Sequence, residues 1–124
     1  MEARTARILV IDDDTTVRLA TCKTLQMDGH EVQQAEDGLT GIETFRQSPA
    51  DLVVTDILMP GMYGLDVIKT LRSEYPDIPI VALSGSGVED LRKSTTIGAN
   101  CAIEKPFLTR ELLRTVNDCL AKDD

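Results

Sequence analysis

Short apolar segments alternate along this chain with longer segments of helical spacing. The short segments are rich in β-branched residues and are too short for helices, so they predict buried strands. They lie at residues 8–11, around Val32, and at residues 52–55, 80–83 and 101–103. Each is followed by apolar residues three or four positions apart, as with Leu65, Ile68 and Leu71, and the weakest such stretch is 88–97. Five alternations of strand and helix predict an α/β fold with helices on both faces of a parallel sheet.

Turn and capping residues support this division. Asp28-Gly29-His30 follows the first helical segment, and Asp37-Gly38 opens the second. Asp14 is predicted to cap the first helix, and Thr109 is predicted to cap the last. Since no linker, repeat or low-complexity tract interrupts the pattern, residues 1–124 are predicted to form a single domain.

The charge balance excludes some partners. Acidic residues outnumber basic ones by 21 to 13, which gives a formal net charge of −8. This surplus argues against direct binding of nucleic acid and against adhesion to an anionic membrane. The polar N-terminal residues lack the apolar run of a signal peptide, and the first apolar stretch is too short to cross a bilayer. We therefore expect a cytoplasmic protein.

The cysteines and the single histidine suggest no chemistry of their own. Cys22, Cys101 and Cys119 are odd in number, widely spaced and without a CxxC pattern. They are interpreted as small, reduced core residues rather than as disulfide or zinc ligands. His30 lies in a predicted turn, and we expect it on the surface with no catalytic role.

Charged and hydroxyl side chains stand where the predicted strands end. Asp12 and Asp13 follow the first strand, Asp56 ends the third, Ser84 ends the fourth, and Lys105 follows the fifth. Ligands of such sheets bind beyond the carboxyl ends of the strands, where the strand order reverses. If the first and third strands are neighbours, the three carboxylates converge and repel one another unless a cation intervenes. An all-oxygen site with open positions suits Mg²⁺.

This group of residues suits phosphoryl transfer. Asp56 is the natural nucleophile, because a carboxylate can form an aspartyl-phosphate. The Lys105 ammonium and the Ser84 hydroxyl would then hold phosphoryl oxygens. Positioning and charge neutralisation are most of what phosphoryl transfer demands.

Four motifs in order resemble the receiver domain of two-component response regulators, including single-domain chemotaxis regulators. They lie at residues 8–14, 56–64, 98–100 and 105–107. The resemblance implies a flavodoxin-like, doubly wound sheet of five parallel strands in the order 2-1-3-4-5, flanked by five helices.

The resemblance also implies a role for each site residue. Asp12 and Asp13 would hold Mg²⁺, and Asp56 would be both phosphoacceptor and metal ligand, joined by the Leu58 backbone carbonyl. Ser84 would take the place of the hydroxyl residue that turns toward the phosphate. Lys105 would take the place of the family's lysine, with a cis bond to Pro106.

In function, the resemblance implies a phosphorylation-dependent switch of a two-component or phosphorelay system. The phosphoryl donor would be a histidine kinase or a histidine phosphotransfer protein, and the downstream target is not identified by the sequence. Such a domain is a signalling module rather than an enzyme, since it catalyses only its own phosphorylation and dephosphorylation. A stand-alone regulator and a segment of a longer one both fit the sequence.

One position departs from the family pattern. Most receivers carry an aromatic residue three positions before the lysine, and this chain has Ala102 there. A methyl group cannot report a rotation as a ring can, so we expect residues 84–97 to carry more of the response, on the face formed by helix 4, strand 5 and helix 5. Gly85, Gly87 and the polar run 94–96 give that segment weak helix propensity.

Two alternatives remain. Residues 12–16 also fit the D-x-D-x-[TV] motif of haloacid-dehalogenase-type phosphatases, with Asp12 as the nucleophile. That interpretation leaves Asp56 without a role, and no acidic pair follows Lys105 at a further strand end. A receiver that acts only as an unphosphorylated binding module is the other alternative.

Overall fold

The computed structural model describes residues 5–57, 64–85 and 88–122, without the side chains of residues 88–91 and 122. The strands are β1 (Arg7–Ile11), β2 (Glu31–Ala35), β3 (Leu52–Asp56), β4 (Ile80–Ser84) and β5 (Cys101–Glu104). The helices are α1 (Thr15–Met27), α2 (Gly38–Gln47), α3 (Gly64–Glu74), α4 (Val88–Ile97) and α5 (Thr109–Lys122).

The five strands form one sheet in the order β2-β1-β3-β4-β5, and every neighbouring pair is parallel. This confirms the predicted α/β class and the strand order that the resemblance implied. All residues of β3 and β4 are buried, because helices cover both faces of a doubly wound sheet. The parallel register brings the carboxyl ends of β1, β3, β4 and β5 to one edge.

Alternate residues of each central strand belong to two separate cores. Leu9 and Val53 pack with residues of α2 and α3, whereas Ile8 and Val54 pack with residues of α1 and α5. This division follows from the two-residue period of side chains along a strand. Burying one such aliphatic side chain contributes about 1.5–3 kcal/mol, so the two cores hold the strand ends firmly in place.

Side-chain caps fix where several helices begin. As predicted, Asp14 caps α1: its carboxylate accepts the Val17 N–H at 3.1 Å. Thr109 is not a cap but the first residue of α5, and at that end the Glu111 carboxylate accepts the N–H of Leu108 at 3.2 Å. The predicted helix start was therefore one residue too late: Leu108, not Thr109, precedes the helix.

His30 is buried, so the prediction of a surface histidine was wrong. The residue is only 4% exposed, and its Nδ1 accepts the Ala6 N–H at 3.1 Å. On the other side, Nε2 lies 3.3 Å from Asn117 Oδ1 in α5, and Asn117 in turn donates to Asp28 at 3.1 Å. The helix α5 therefore covers the turn after α1. This is a long-range contact, which the local turn residues could not predict.

Among the described residues, every helix is too short or too polar to span a bilayer.

Candidate functional site

Three carboxylates meet at the carboxyl edge of the sheet. Asp12 directly follows β1 and is fully buried, and Asp56 is the last residue of β3 and is 6% exposed. Asp13 is exposed beside them. One carboxylate oxygen from each residue lies within 4.8 Å of the others. The structure thus brings together the three acids that the sequence placed at strand ends, because β1 and β3 are adjacent in the sheet.

Lys105 joins this cluster from the end of β5. Its Nζ lies 3.0 Å from Asp12 Oδ2 and 3.5 Å from Asp56 Oδ1. The ammonium therefore offsets part of the negative charge of two carboxylates that burial would otherwise disfavour. As the resemblance implied, the Lys105–Pro106 bond is cis.

Backbone contacts hold Asp12 in place. Its Oδ1 accepts the Asp14 N–H at 3.0 Å, and its own N–H donates to the carbonyl of Ala35 at 3.1 Å. These bonds tie the segment after β1 both to the start of α1 and to the end of β2. The carboxylate is thereby aimed at the cluster rather than at solvent.

Arg18 is the neighbouring residue that sequence reasoning missed. It is 9% exposed in α1. Its Nη1 donates to the Asp12 carbonyl at 2.9 Å, and its Nε donates to Gln34 Oε1 at 2.8 Å. A signal was present in the sequence: Arg18 shares the buried helix face of Thr21, Cys22 and Leu25, and a charge on such a face needs partners.

The end of β3 is equally constrained. The Thr55 hydroxyl donates to the Asp56 carbonyl at 3.1 Å, and the Ile57 N–H donates to the Leu83 carbonyl at 2.9 Å. Gly64, the first residue of α3, lies so close that an added Cβ would be 1.8 Å from the Asp56 carbonyl oxygen. The phosphoacceptor candidate therefore stands on backbone that is packed from several sides.

Ser84 occupies the adjacent strand end. It is 1% exposed at the end of β4, and its carbonyl accepts the Lys105 N–H at 2.7 Å. The ends of β4 and β5 are thus linked at the site. Ala102, in the middle of β5, is half-buried and packs against the core on the α2 and α3 side. Leu58 lies outside the described residues.

The donor set fits a divalent cation. Oxygens bound to one Mg²⁺ at about 2.0–2.1 Å lie roughly 3–4 Å apart. The carboxylate oxygens lie within 4.8 Å of one another, so small side-chain rotations would bring them to such a separation. Three carboxylates with one lysine ammonium leave two negative charges in excess. The site therefore matches Mg²⁺ in ligand chemistry and in charge.

Comparison with known proteins agrees with this geometry. The family described as "Response regulator receiver domain" matches residues 8–117. Response regulator MprA of Mycobacterium sp. (strain KMS) is 35% identical over 117 residues, which cover 94% of this chain and 51% of that protein. MprA of Mycobacterium leprae (strain TN) is 34% identical with the same coverage of 94% and 51%. The chain spans about half the length of these curated relatives.

Solved structures show the same fold. NtrX from Brucella abortus, in complex with ADP, superposes with a TM-score of 0.93 at 29% identity, covering 97% of this chain and 28% of that one. A response regulator receiver domain protein from Clostridium thermocellum gives a TM-score of 0.89 at 28% identity, with coverage of 94% and 95%. The chemotaxis protein CheY4 of Vibrio cholerae gives 0.87 at 30% identity, with coverage of 94% and 99%.

These matches lend no support to the phosphatase alternative. Receiver domains serve phosphorylation-dependent two-component signalling, generally as non-enzymatic domains with a histidine kinase upstream and a target downstream, and they generally use Mg²⁺ at an acidic pocket. The chain folds as a five-stranded sheet with an acidic cluster at its carboxyl edge, and the family model matches most of its sequence. This chain belongs to the receiver-domain family of response regulators.

Proposed function

We propose that residues 1–124 act as one receiver domain in which Asp56 accepts a phosphoryl group from a phosphohistidine on a histidine kinase or a histidine phosphotransfer protein. One observation carries this proposal: three carboxylates converge within 4.8 Å, with the Lys105 ammonium 3.0 Å and 3.5 Å from two of them. The phosphoacceptor role is assigned to Asp56 because it ends the central strand β3. Asp12 lies closer to the ammonium and also accepts the Asp14 N–H, which suits it to a supporting role.

The transfer step uses groups already at the sheet edge. A carboxylate oxygen of Asp56 forms a bond to phosphorus as the phosphorus–nitrogen bond of the donor breaks, and the imidazole leaves. Lys105 passes from its carboxylate partners to a phosphoryl oxygen. The Ser84 hydroxyl, at the neighbouring strand end, donates to a second phosphoryl oxygen.

The proposed metal ligands are Asp12, Asp13 and Asp56, with the Leu58 carbonyl as a fourth that lies outside the described residues. When bound, Mg²⁺ would neutralise carboxylate charge and bind phosphoryl oxygens, so that two groups of like charge can approach. Asp13 is exposed and free to reorient, whereas Asp12 is held by the Asp14 N–H and by Lys105.

The response is proposed to run through the face formed by α4, β5 and α5. Phosphorylation adds roughly 1.5–2 negative charges beside Ser84 and Lys105, enough to bias a two-state element. The hydroxyls of Thr95 and Thr96 in α4 both donate to the Arg92 carbonyl, at 2.9 Å and 3.0 Å. Such back-bonding weakens helices, which suits α4 to move.

The far end of α4 is anchored by α3. Arg72 donates to the Gly98 carbonyl from Nε at 3.1 Å and from Nη2 at 2.8 Å, and Nη2 also donates to Asn100 Oδ1 at 2.8 Å. Hydrogen exchange with and without a beryllofluoride mimic should show changed protection in residues 84–97. Unchanged protection there would refute this part of the proposal.

The phosphoacceptor is tested by intact mass after incubation with acetyl phosphate and Mg²⁺. The wild-type chain should gain one phosphoryl group, and the gain should disappear without Mg²⁺ or in Asp56→Asn. Asp118→Asn, which changes an exposed aspartate of α5, is the matched control and should still react. A gain that survives in Asp56→Asn, or no gain in the wild type, would overturn the assignment.

A further inference from the structure

Two cysteines that are far apart in sequence lie in contact. Cys101 is the first residue of β5 and Cys119 lies in α5, 18 positions later, yet their Sγ atoms are 2.9 Å apart. Both cysteines carry reduced thiols. A disulfide bond is about 2.05 Å long, so the sulfur atoms need to approach by roughly 0.9 Å. That displacement is within the reach of a small side-chain rotation.

The two thiols differ in access. Cys101 is half-buried, whereas Cys119 is 3% exposed. A soluble oxidant can therefore reach Cys101 more readily than Cys119. This is the arrangement of an attacking cysteine and a resolving cysteine.

The third cysteine provides an internal contrast. Cys22 lies in α1 and is 4% exposed. Burial raises the pKa of its thiol, and the positive charge of Arg18 only partly offsets this. Since the thiolate is the reactive form, Cys22 should stay reduced under conditions that oxidise the half-buried Cys101.

We propose that Cys101 and Cys119 form a reversible thiol–disulfide pair, a redox modification site for low-molecular-weight disulfides such as oxidised glutathione. The Cys101 thiolate attacks one sulfur of the oxidant, which forms a mixed disulfide and releases one thiol. The Cys119 thiolate then attacks Cys101 Sγ and releases the second thiol. The protein loses two electrons and two protons, and the oxidant is reduced to two thiols, so the exchange balances.

The bond would connect β5 to α5 and would close a loop across that part of the chain. Closing a loop of this length should raise the melting temperature by about 12 °C for a domain of this size. The inference does not depend on the proposed phosphorylation. Cys101 begins β5 and Cys119 lies in α5, whereas Lys105 follows the other end of β5.

The test uses the full chain under native conditions. After incubation with oxidised glutathione, the protein is acid-quenched and unfolded, and its remaining thiols are labelled with N-ethylmaleimide. We expect one label per chain instead of three, located on Cys22, and a peptide that links Cys101 to Cys119. Dithiothreitol should restore three labels and the lower melting temperature.

Variants separate the two steps. Cys119→Ala should stop at a mixed disulfide on Cys101, whereas Cys22→Ala should still form the internal bond. The wild-type labelling result does not depend on whether these variants fold. Three labels in the oxidised wild type, a mixed disulfide that persists on Cys101, a linkage that includes Cys22 or a bond between two chains would each overturn the proposal.

Discussion

Gly64 is the position where a single methyl group should do the most damage near the site. An alanine Cβ there would lie 1.8 Å from the Asp56 carbonyl oxygen and 2.5 Å from the Ile57 Cα. Both atoms are backbone, so no flexible side chain can move aside. The Gly64 N–H also donates to the Ile57 carbonyl at 2.6 Å, and that bond would be lost or lengthened.

The cost of this substitution can be worked from the contact. Relieving the clash to an ordinary carbon–oxygen contact of about 3.3 Å needs a backbone shift of roughly 1.5 Å. Overpacking of this kind costs about 1–3 kcal/mol, and the weakened hydrogen bond adds about 0.5–1.5 kcal/mol. Better helix propensity returns less than about 1 kcal/mol. Gly64→Ala should therefore lower the free energy of unfolding by about 2 kcal/mol.

Urea denaturation followed by circular dichroism measures this loss, and phosphorylation by acetyl phosphate is timed on the same samples. The rate should fall as well, since the clash bears on the backbone of Asp56 itself. Gly85→Ala is the matched control: its Cβ would lie 3.9 Å from the Lys105 Cβ, an ordinary contact. If Gly64→Ala unfolds at the same urea concentration as wild type, the close packing of α3 on the end of β3 is refuted.

Three further substitutions test other parts of the structure. Asp37→Ala should cost about 1 kcal/mol in urea denaturation as the cap of α2 is lost, whereas Asp37→Asn should retain the cap. The Thr40 N–H lowers the pKa of Asp37 below its ordinary 3.8. The carboxylate therefore contributes to the free energy of unfolding above its unfolded-state pKa, and this contribution is lost as pH falls through its folded-state pKa. A pH dependence of stability that Asp37→Asn leaves unchanged would contradict this. Arg18→Met should leave the buried Asp12 carbonyl unpaired and lower the free energy of unfolding by about 1–3 kcal/mol. It should also raise the Mg²⁺ concentration needed for phosphorylation, with partial rescue by Arg18→Lys. An unchanged Mg²⁺ requirement would mean that Arg18 is purely structural. His30→Ala should cost about 2–3 kcal/mol in urea denaturation, through a cavity and an unpaired N–H, whereas a loss below about 0.5 kcal/mol would indicate a surface residue.

The alternation of strands and helices could be predicted because burial imposes it on the sequence. β3 and β4 are buried on both faces, so they stand out as continuous apolar runs that end at Asp56 and Ser84. The weakest predicted helix, 88–97, also formed, with the bounds Val88–Ile97. The strand order could not be predicted in this way, because periodicity does not determine it. It was predicted only from the resemblance of the motifs to a family.

What the sequence concealed depends on contacts between distant segments. His30 is buried because Asn117, 87 positions later, reaches it from α5. The Cys101–Cys119 contact joins a strand to a helix, and their spacing in sequence does not determine that distance. Arg18 was overlooked because the buried face of α1 carries only one strongly apolar residue, Leu25, beside polar or small ones.

The strand β5 is where the proposed phosphorylation and the proposed redox chemistry would meet. Cys101 begins it, Lys105 follows it, and Ala102 between them lacks a ring whose rotation could report on the site. Near the proposed phosphoacceptor, a main-chain hydrogen bond from the Lys105 N–H to the Ser84 carbonyl links the ends of β4 and β5. A signal that starts when Lys105 exchanges a carboxylate for a phosphoryl oxygen would therefore travel as a backbone displacement of the ends of β4 and β5 toward α4. A disulfide at the opposite end of β5 would restrain α5 and leave that route open, so the two modifications would act on different helices of the same face.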